Sequence, residues 1–179
     1  MQRAPNILGI DFSTSNSAAS KSIRGNPFII ELLAGKQTLP TSIFFDFESR
    51  KTIFGTPANG ALISGFDGRY MRFLKSVLGT SLMHEPRHIM GQTLTYVDTS
   101  AHFLKTIKIR SEEICQTKFP YALSGRPVHF HFNDARRYTQ AQRDLQDCYE
   151  LAGFSNVKFL NKPEAAALPL ARCPQVRST

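Results

Sequence analysis

Short apolar runs broken by polar turns fill the first third of the chain, and helical spacing takes over in the middle. Ile7 to Asp11 is an apolar run that ends abruptly on polar, small residues, the pattern of a buried strand entering a turn. Ala18 to Ile23 and Phe28 to Leu33 read as two further strands, separated by the turn-forming stretch Arg24-Gly25-Asn26-Pro27. Ser42 to Phe47 predicts another strand, and Thr52 to Phe54 a short one. Phe73, Leu74, Val77 and Leu78 then recur at helical spacing, with Gly79 where a C-cap glycine belongs. Asp98 caps a predicted helix running to about Lys118, with Phe103, Ile107 and Ile114 on one stripe. Tyr121 to Gly125 is a strand, and Leu145, Cys148, Tyr149 and Ala152 mark one face of a helix closed by Gly153. Val157 to Leu160 is the last strand, and Pro163 opens a short Ala-rich helix. The tail Arg172 to Thr179 carries no pattern. A β-rich start followed by strand, helix, strand and helix is an α/β arrangement.

Composition narrows the class without changing the fold. The chain has 179 residues, 41% hydrophobic and 20% charged, ordinary values for a soluble globular domain. No apolar run approaches the roughly 18 residues that span a bilayer, and Asp11 interrupts the N-terminal apolar stretch before a secretory signal could form. A cytoplasmic protein with no membrane partner is expected. The net charge is +8, but Lys and Arg are dispersed and Arg136-Arg137 is the densest pair. The surface reads as solvated and basic rather than as a specific nucleic-acid site. Cys115, Cys148 and Cys173 lack the spacing of a metal knuckle or disulfide framework, so all three read as reduced, packed thiols.

The chemistry-bearing segment is Gly9-Ile10-Asp11-Phe12-Ser13-Thr14-Ser15-Asn16-Ser17. A strand presents a carboxylate at its end, and a turn of small hydroxyl residues follows at once. Successive backbone N–H groups and hydroxyls can cradle a phosphate, and a single carboxylate suits a hydrated Mg²⁺. Taken alone, the segment fits a Ser/Thr-rich hairpin turn equally well.

The same segment resembles the first phosphate motif of the actin, sugar-kinase and heat-shock-70 superfamily, D-x-G-T-T/S-x-S/A. Further pieces follow in heat-shock-70 order. Thr38-Leu39-Pro40-Thr41-Ser42-Ile43 resembles the T-P-S-I stretch, and Ile53-Phe54-Gly55-Thr56-Pro57-Ala58 the V-G-x-x-A stretch. Phe73-Leu74-Lys75-Ser76-Val77-Leu78-Gly79 resembles the segment carrying the catalytic lysine. Gly125-Arg126-Pro127-Val128 resembles the strand that ends in the switch proline. Asn161-Lys162-Pro163-Glu164-Ala165-Ala166-Ala167-Leu168 resembles N-E-P-x-A-A-A-L. The G-R-P and A-G-F pieces are similar to divergent, bacterial-type members, and the Ala-rich ending is what separates this branch from the sugar kinases.

The resemblance implies a ribonuclease-H-like, actin-like ATPase lobe: a mixed β-sheet flanked by helices, with a small inserted subdomain within about residues 36–118. Residues 1–171 would form the N-terminal lobe of the nucleotide-binding domain and residues 172–179 an unstructured tail. It implies ATP and Mg²⁺ as cofactors, with Asp11 facing the hydrated metal. Ser13, Thr14 and Ser15 would form the phosphate turn, and Lys75 would be the catalytic lysine at the γ-phosphate. Without the flanking match, Lys75 reads as an ordinary exposed helix lysine. Pro127 would be the hinge to a partner domain, or else a strand terminator. Two positions depart from the pattern: Ser13 replaces a glycine, and Lys162 replaces an acidic residue near the metal. The stretch from Pro127 to Asn161 is also longer than in the family. The second phosphate hairpin, adenosine pocket and substrate-binding domain have no counterpart in the sequence. The expected protein is therefore a truncated chaperone ATPase lobe, holding Mg-ATP phosphates weakly and hydrolysing ATP only if a second lobe is supplied. The alternative is a catalytically inactive module that binds another protein.

Two histidine patterns invite a metal reading. His84-Glu85-Pro86-Arg87-His88 matches H-E-x-x-H, but Pro86 removes a helical donor and clashes with the preceding turn, so the segment reads as a loop. His129 and His131 alternate with Phe130 and Phe132, as on a solvent-facing strand edge.

Overall fold

The computed structural model describes residues 6–126 and 135–161. The expectations for Pro127, His129, His131, Lys162, the Ala-rich motif, Cys173 and the tail lie outside these residues.

Strand β1 (Ile7–Asp11) runs antiparallel to β2 (Asn16–Ile23), and β2 antiparallel to β3 (Asn26–Ile30). The β2–β3 turn is only Arg24-Gly25, both at positive φ, as two-residue hairpins require. Asn26 and Pro27, expected in the turn, therefore pair with Ile23 and Ser22. A two-residue strand, β4 (Leu39–Pro40), pairs with the start of β2.

A small three-stranded sheet follows. β5 (Ser42–Asp46) lies between β6 (Lys51–Phe54) and β7 (Gly68–Arg72), both antiparallel to it, and every residue of β5 is buried. Helix α1 (Thr56–Ile63) packs Ala58 and Ala61 beneath Phe44. Neither α1 nor β7 is evident from the sequence pattern. The helix buries only two alanines, too small a stripe to read. The strand alternates weakly, with Met71 buried between Tyr70 and Arg72.

Phe73, Leu74, Val77 and Leu78 were expected on a helix, but only a 3-10 turn forms, Leu74–Val77. Phe73 is left-handed at one end (φ 59°, ψ 29°) and Gly79 has φ 76° at the other. The bracketed stretch is too short for an α-helix. A second 3-10 turn, Ser81–His84, leads into the hairpin β8 (Arg87–Ile89) and β9 (Gln92–Leu94). His84 thus ends a 3-10 turn and His88 lies on a strand, so H-E-x-x-H shares no helix.

Helix α2 (Tyr96–Cys115) begins one turn earlier than expected. Thr95 is its N-cap, and Asp98 is the third helical residue. The two bond reciprocally, Asp98 N–H to Thr95 Oγ1 at 3.2 Å and Thr95 N–H to Asp98 Oδ2 at 2.8 Å. Phe103, Leu104 and Ile107 are fully buried, whereas Ile114, expected on their stripe, is 51% exposed in the last turn.

α2 carries the chain to β10 (Tyr121–Arg126), parallel to β1. α3 (Ala135–Leu151) carries it on to β11 (Asn156–Asn161), parallel to β10. Parallel neighbours need such crossovers. The main sheet is ordered β11–β10–β1–β2–β3, three antiparallel strands continued by two parallel ones, with β4 attached to β2. α2 and α3 pack together. Leu145, Cys148, Tyr149 and Ala152 are all buried on the α3 face, and Gly153 closes it at φ 89°. Burial pushes the Cys148 thiol well above the ordinary thiol range, as befits a packed hydrophobe. Cys115 and Cys148 are both free thiols. Tyr149 donates from its hydroxyl to Ser124 Oγ at 2.7 Å, joining α3 to β10.

Candidate functional site

The turn between β1 and β2 is organised by its own side chains. Asp11 ends β1 and is exposed, and Ser13 Oγ donates to Asp11 Oδ1 at 3.0 Å. The Ser13 N–H points to Ser17 Oγ at 3.3 Å. Ser17, fully buried, shares a 2.8 Å hydroxyl bond with Thr41, and the Thr41 N–H donates to the Ser15 carbonyl at 2.8 Å. The turn is thus pinned from behind by the chain leaving β4. Ser13, the residue that replaces a glycine, is not among the non-glycine residues at positive φ. Its side chain carries no left-handed strain there.

Thr14, Ser15 and Asn16 form one wall of an open cleft of about 300 Å³. Pro40, Thr41 and Ser42 line its base, and Asn59 of α1 with Tyr70 and Arg72 of β7 and Phe73 just after it form the opposite wall. Asn59 Oδ1 accepts from Ser42 Oγ at 2.7 Å and from the Tyr70 hydroxyl at 2.8 Å. No carboxylate occurs among the described lining residues.

Lys75 lies elsewhere. It is 8% exposed, not on the cleft surface, and its Nζ donates to the Phe12 carbonyl at 2.5 Å. Its ammonium thus holds the backbone of the turn from inside the fold, an expensive burial that this hydrogen bond offsets. The loop carrying it is docked in turn on α3. The Gly79 N–H donates to Asp144 Oδ2 at 2.8 Å, and Asp144, fully buried, also bonds His84 Nε2 at 3.0 Å and Gln140 Nε2 at 2.7 Å. A Cβ on Gly79 would lie 2.4 Å from the Arg137 carbonyl, so only glycine allows that approach.

Of the residues expected from sequence, the structure brings Thr14 and Ser15 to the cleft and bonds Ser13 to Asp11. Lys75 is placed one layer behind, against Phe12. Asn59, Tyr70 and Arg72 are not among the residues expected from sequence. The signal that could have found the last two is the alternation Tyr70-Met71-Arg72, which puts both on the face away from the core. As for a metal, Asp11 is one carboxylate beside hydroxyls, and no group of three or more acidic, His or Cys side chains forms a cage among the described residues. That donor set fits Mg²⁺, which keeps water and takes phosphate oxygens, and suits no metal held by protein ligands alone.

An antiparallel triplet extended by two parallel strands, with helical crossovers and a hydroxyl turn at the end of its central strand, defines an α/β lobe of the actin-like ATPase kind. No family profile matches the sequence. Individual proteins do. The chain is 29% identical over 163 residues to the chaperone protein DnaK of Mycoplasmopsis agalactiae and 30% identical over 162 residues to that of Metamycoplasma hominis. Each match covers 90% of this chain and 25% of the relative. The DnaK of Methanothermobacter thermautotrophicus is 28% identical over 172 residues, 94% of this chain and 27% of its own length. Over nearly its whole length the chain is thus similar to bacterial-type heat-shock-70-like proteins, within part of their nucleotide-binding region. It spans about a quarter of the length of the curated relatives it matches.

Proposed function

We propose that the chain is the N-terminal lobe of a chaperone ATPase domain and that its cleft receives the phosphates of Mg-ATP. In this reading the lobe is residues 1–171, with an inserted subdomain within about residues 36–118 and residues 172–179 as a tail. The observation that carries it is the placing of the Thr14 and Ser15 hydroxyls on a cleft wall, on the turn that follows Asp11. Hydroxyls and N–H groups of the turn, Ser13 included, would hold the β- and γ-phosphates, with Asp11 facing hydrated Mg²⁺. Phosphoryl transfer depends mainly on positioning and on neutralising charge at the transferring group, which the metal would supply when bound. Lys75 already fixes the turn through Phe12. An ammonium has three N–H donors, so Lys75 would meet a γ-phosphate by turning another of them toward it while Phe12 is held.

One wall of a two-lobed cleft binds weakly, and hydrolysis requires a second lobe, from a longer form of this chain or from another protein. A cytoplasmic location belongs to the same reading, and no described helix is long and apolar enough to cross a membrane. Calorimetric titration with Mg-ATP tests it on the chain and its Asp11→Ala and Lys75→Ala variants. Millimolar or tighter binding, weakened in both variants, is expected. No heat of binding in the parent chain would contradict it.

A second reading, an inactive protein-binding module, is favoured by one observation. Strand β3 is an edge of the main sheet among the described residues, and Phe28 and Ile29 on it are 49% and 45% exposed. An apolar open edge is a template for pairing with another chain. Light scattering that shows concentration-dependent association, removed by Phe28→Ser, would support this reading over the first.

A further inference from the structure

The cleft contains one charged residue among its described lining, and that residue is Arg72. Arg72 is exposed at the end of β7, and it forms no ion pair with any described residue. Its guanidinium instead lies over the Phe73 ring, 3.8 Å from the centroid. Stacking of this kind satisfies the face of the cation and leaves its in-plane N–H groups pointing outward. Those groups are the fork that matches a phosphate. Phe73 is itself a backbone outlier, a bulky residue at φ 59° and 39% exposed. Left-handed geometry at a bulky residue is strained and persists where surrounding structure imposes it, often at ligand sites. Here it turns the chain sharply, so that Arg72 faces the cleft while Lys75, three residues on, is buried.

The neighbouring wall is also prepared for an anion. The Asn59 carbonyl oxygen is occupied by Ser42 and Tyr70, which leaves the amide NH₂ as the group offered to the cleft. Across from these stand Thr14 and Ser15.

We propose that Arg72, with Asn59 beside it, is a phosphoryl-binding subsite on the small-sheet wall, facing the hydroxyl turn, and that it supplies the cleft's cation while Lys75 serves the backbone behind. This rests on the phosphate reading of the cleft but assigns a group that reading does not use. The phosphoryl group could belong to a nucleotide or be free inorganic phosphate, and the two are distinguished experimentally.

The test is calorimetric titration of the full chain and of its Arg72→Gln and Arg72→Lys variants. Each is titrated with Mg-ATP and, separately, with inorganic phosphate, and circular dichroism confirms the fold. Because Arg72 is exposed, neither variant should unfold the protein. Losing a bidentate charged donor should weaken binding by at least about tenfold in Arg72→Gln, and Arg72→Lys should recover part of the loss. The salt dependence of binding should fall with the charge in Arg72→Gln and persist in Arg72→Lys. Unchanged affinity for both ligands in Arg72→Gln would overturn the subsite and leave the Thr14–Ser15 reading in place. If inorganic phosphate binds and Arg72→Gln abolishes it while Mg-ATP fails to bind, the subsite holds and the nucleotide reading falls. Binding of neither ligand by the parent chain would overturn both.

Discussion

Two segments meet near the cleft and are built on opposite principles. The turn from Asp11 to Ser17 is shaped by side chains two to four residues apart, Ser13 to Asp11 and Ser13 N–H to Ser17, with Thr41 and Lys75 as its more distant supports. The loop from Phe73 to Gly79 also has local bonds, but its position is set from afar. Lys75 reaches back 63 residues to Phe12, and Gly79 reaches forward 65 residues to Asp144. A turn with short polar side chains gains part of its shape from bonds to its own near neighbours. The far-tethered loop exists only once α3 and β1 are in position, so it is the costlier one to disturb and the one through which distant changes can reach the cleft.

That contrast ranks the effects of substitution. Gly79→Ala should be the most damaging, because the new Cβ meets the Arg137 carbonyl and the backbone is at positive φ. A loss of about 3 kcal/mol in chemical denaturation is expected, and a loss under about 1 kcal/mol would mean that the loop is not pressed on α3 as described. Asp144→Ala strips the buried Gly79 N–H of its acceptor and should cost about 2 kcal/mol, read from the urea midpoint. Thr41→Val, which leaves the buried Ser17 hydroxyl with one fewer partner, should cost about 1 kcal/mol. Ser13→Gly breaks only an exposed local bond and should shift stability by no more than about 0.5 kcal/mol. If Ser13→Gly proved as costly as Gly79→Ala, the distinction between the two segments would collapse.

The smallest effect tests the local principle at another turn. Asp46, at the end of β5, accepts from Ser49 Oγ at 2.7 Å and from the Ser49 and Glu48 N–H groups. The Ser49 hydroxyl above all holds its carboxyl below the ordinary value of 3.8. A depressed folded-state value means that the stabilisation is fully present above pH 3.8 and fades as pH falls through the folded value. NMR titration should show the Asp46 carboxyl moving back toward its ordinary value in Ser49→Ala.

The same division explains what the sequence makes legible. Strands β1, β2, β10 and β11 and the buried face of α3 follow from apolar runs and helical spacing, because each buries an apolar side in the main sheet or against it. The hydroxyl turn is legible for the reason that it is local. α1 is hidden because its buried contacts are two alanines, and β7 because a single methionine marks its core side. The 3-10 turn at Lys75 has the apolar spacing of a helix. Left-handed Phe73 at its start and the docking of Gly79 on α3 through Asp144 are not visible in that spacing. The α2 boundary differs from the expected one because Asp98 is a good N-cap residue in isolation, while Thr95 three positions earlier completes the reciprocal pair. Lys75 could be picked out by its flanking residues, but nothing in the spacing reveals that its ammonium turns inward to Phe12.

The central claim is that the turn after β1 and the small-sheet wall opposite it grip a phosphoryl group together. Amide and arginine side-chain NMR spectra of the chain, titrated with Mg-ATP, address it directly. The account predicts saturable shifts at the Thr14, Ser15 and Asn16 amides and at Arg72 Nε, with the α3 amides far from Gly79 unmoved. Shifts that leave the Thr14–Asn16 amides and Arg72 Nε unchanged while Mg-ATP binds elsewhere on the lobe would contradict it.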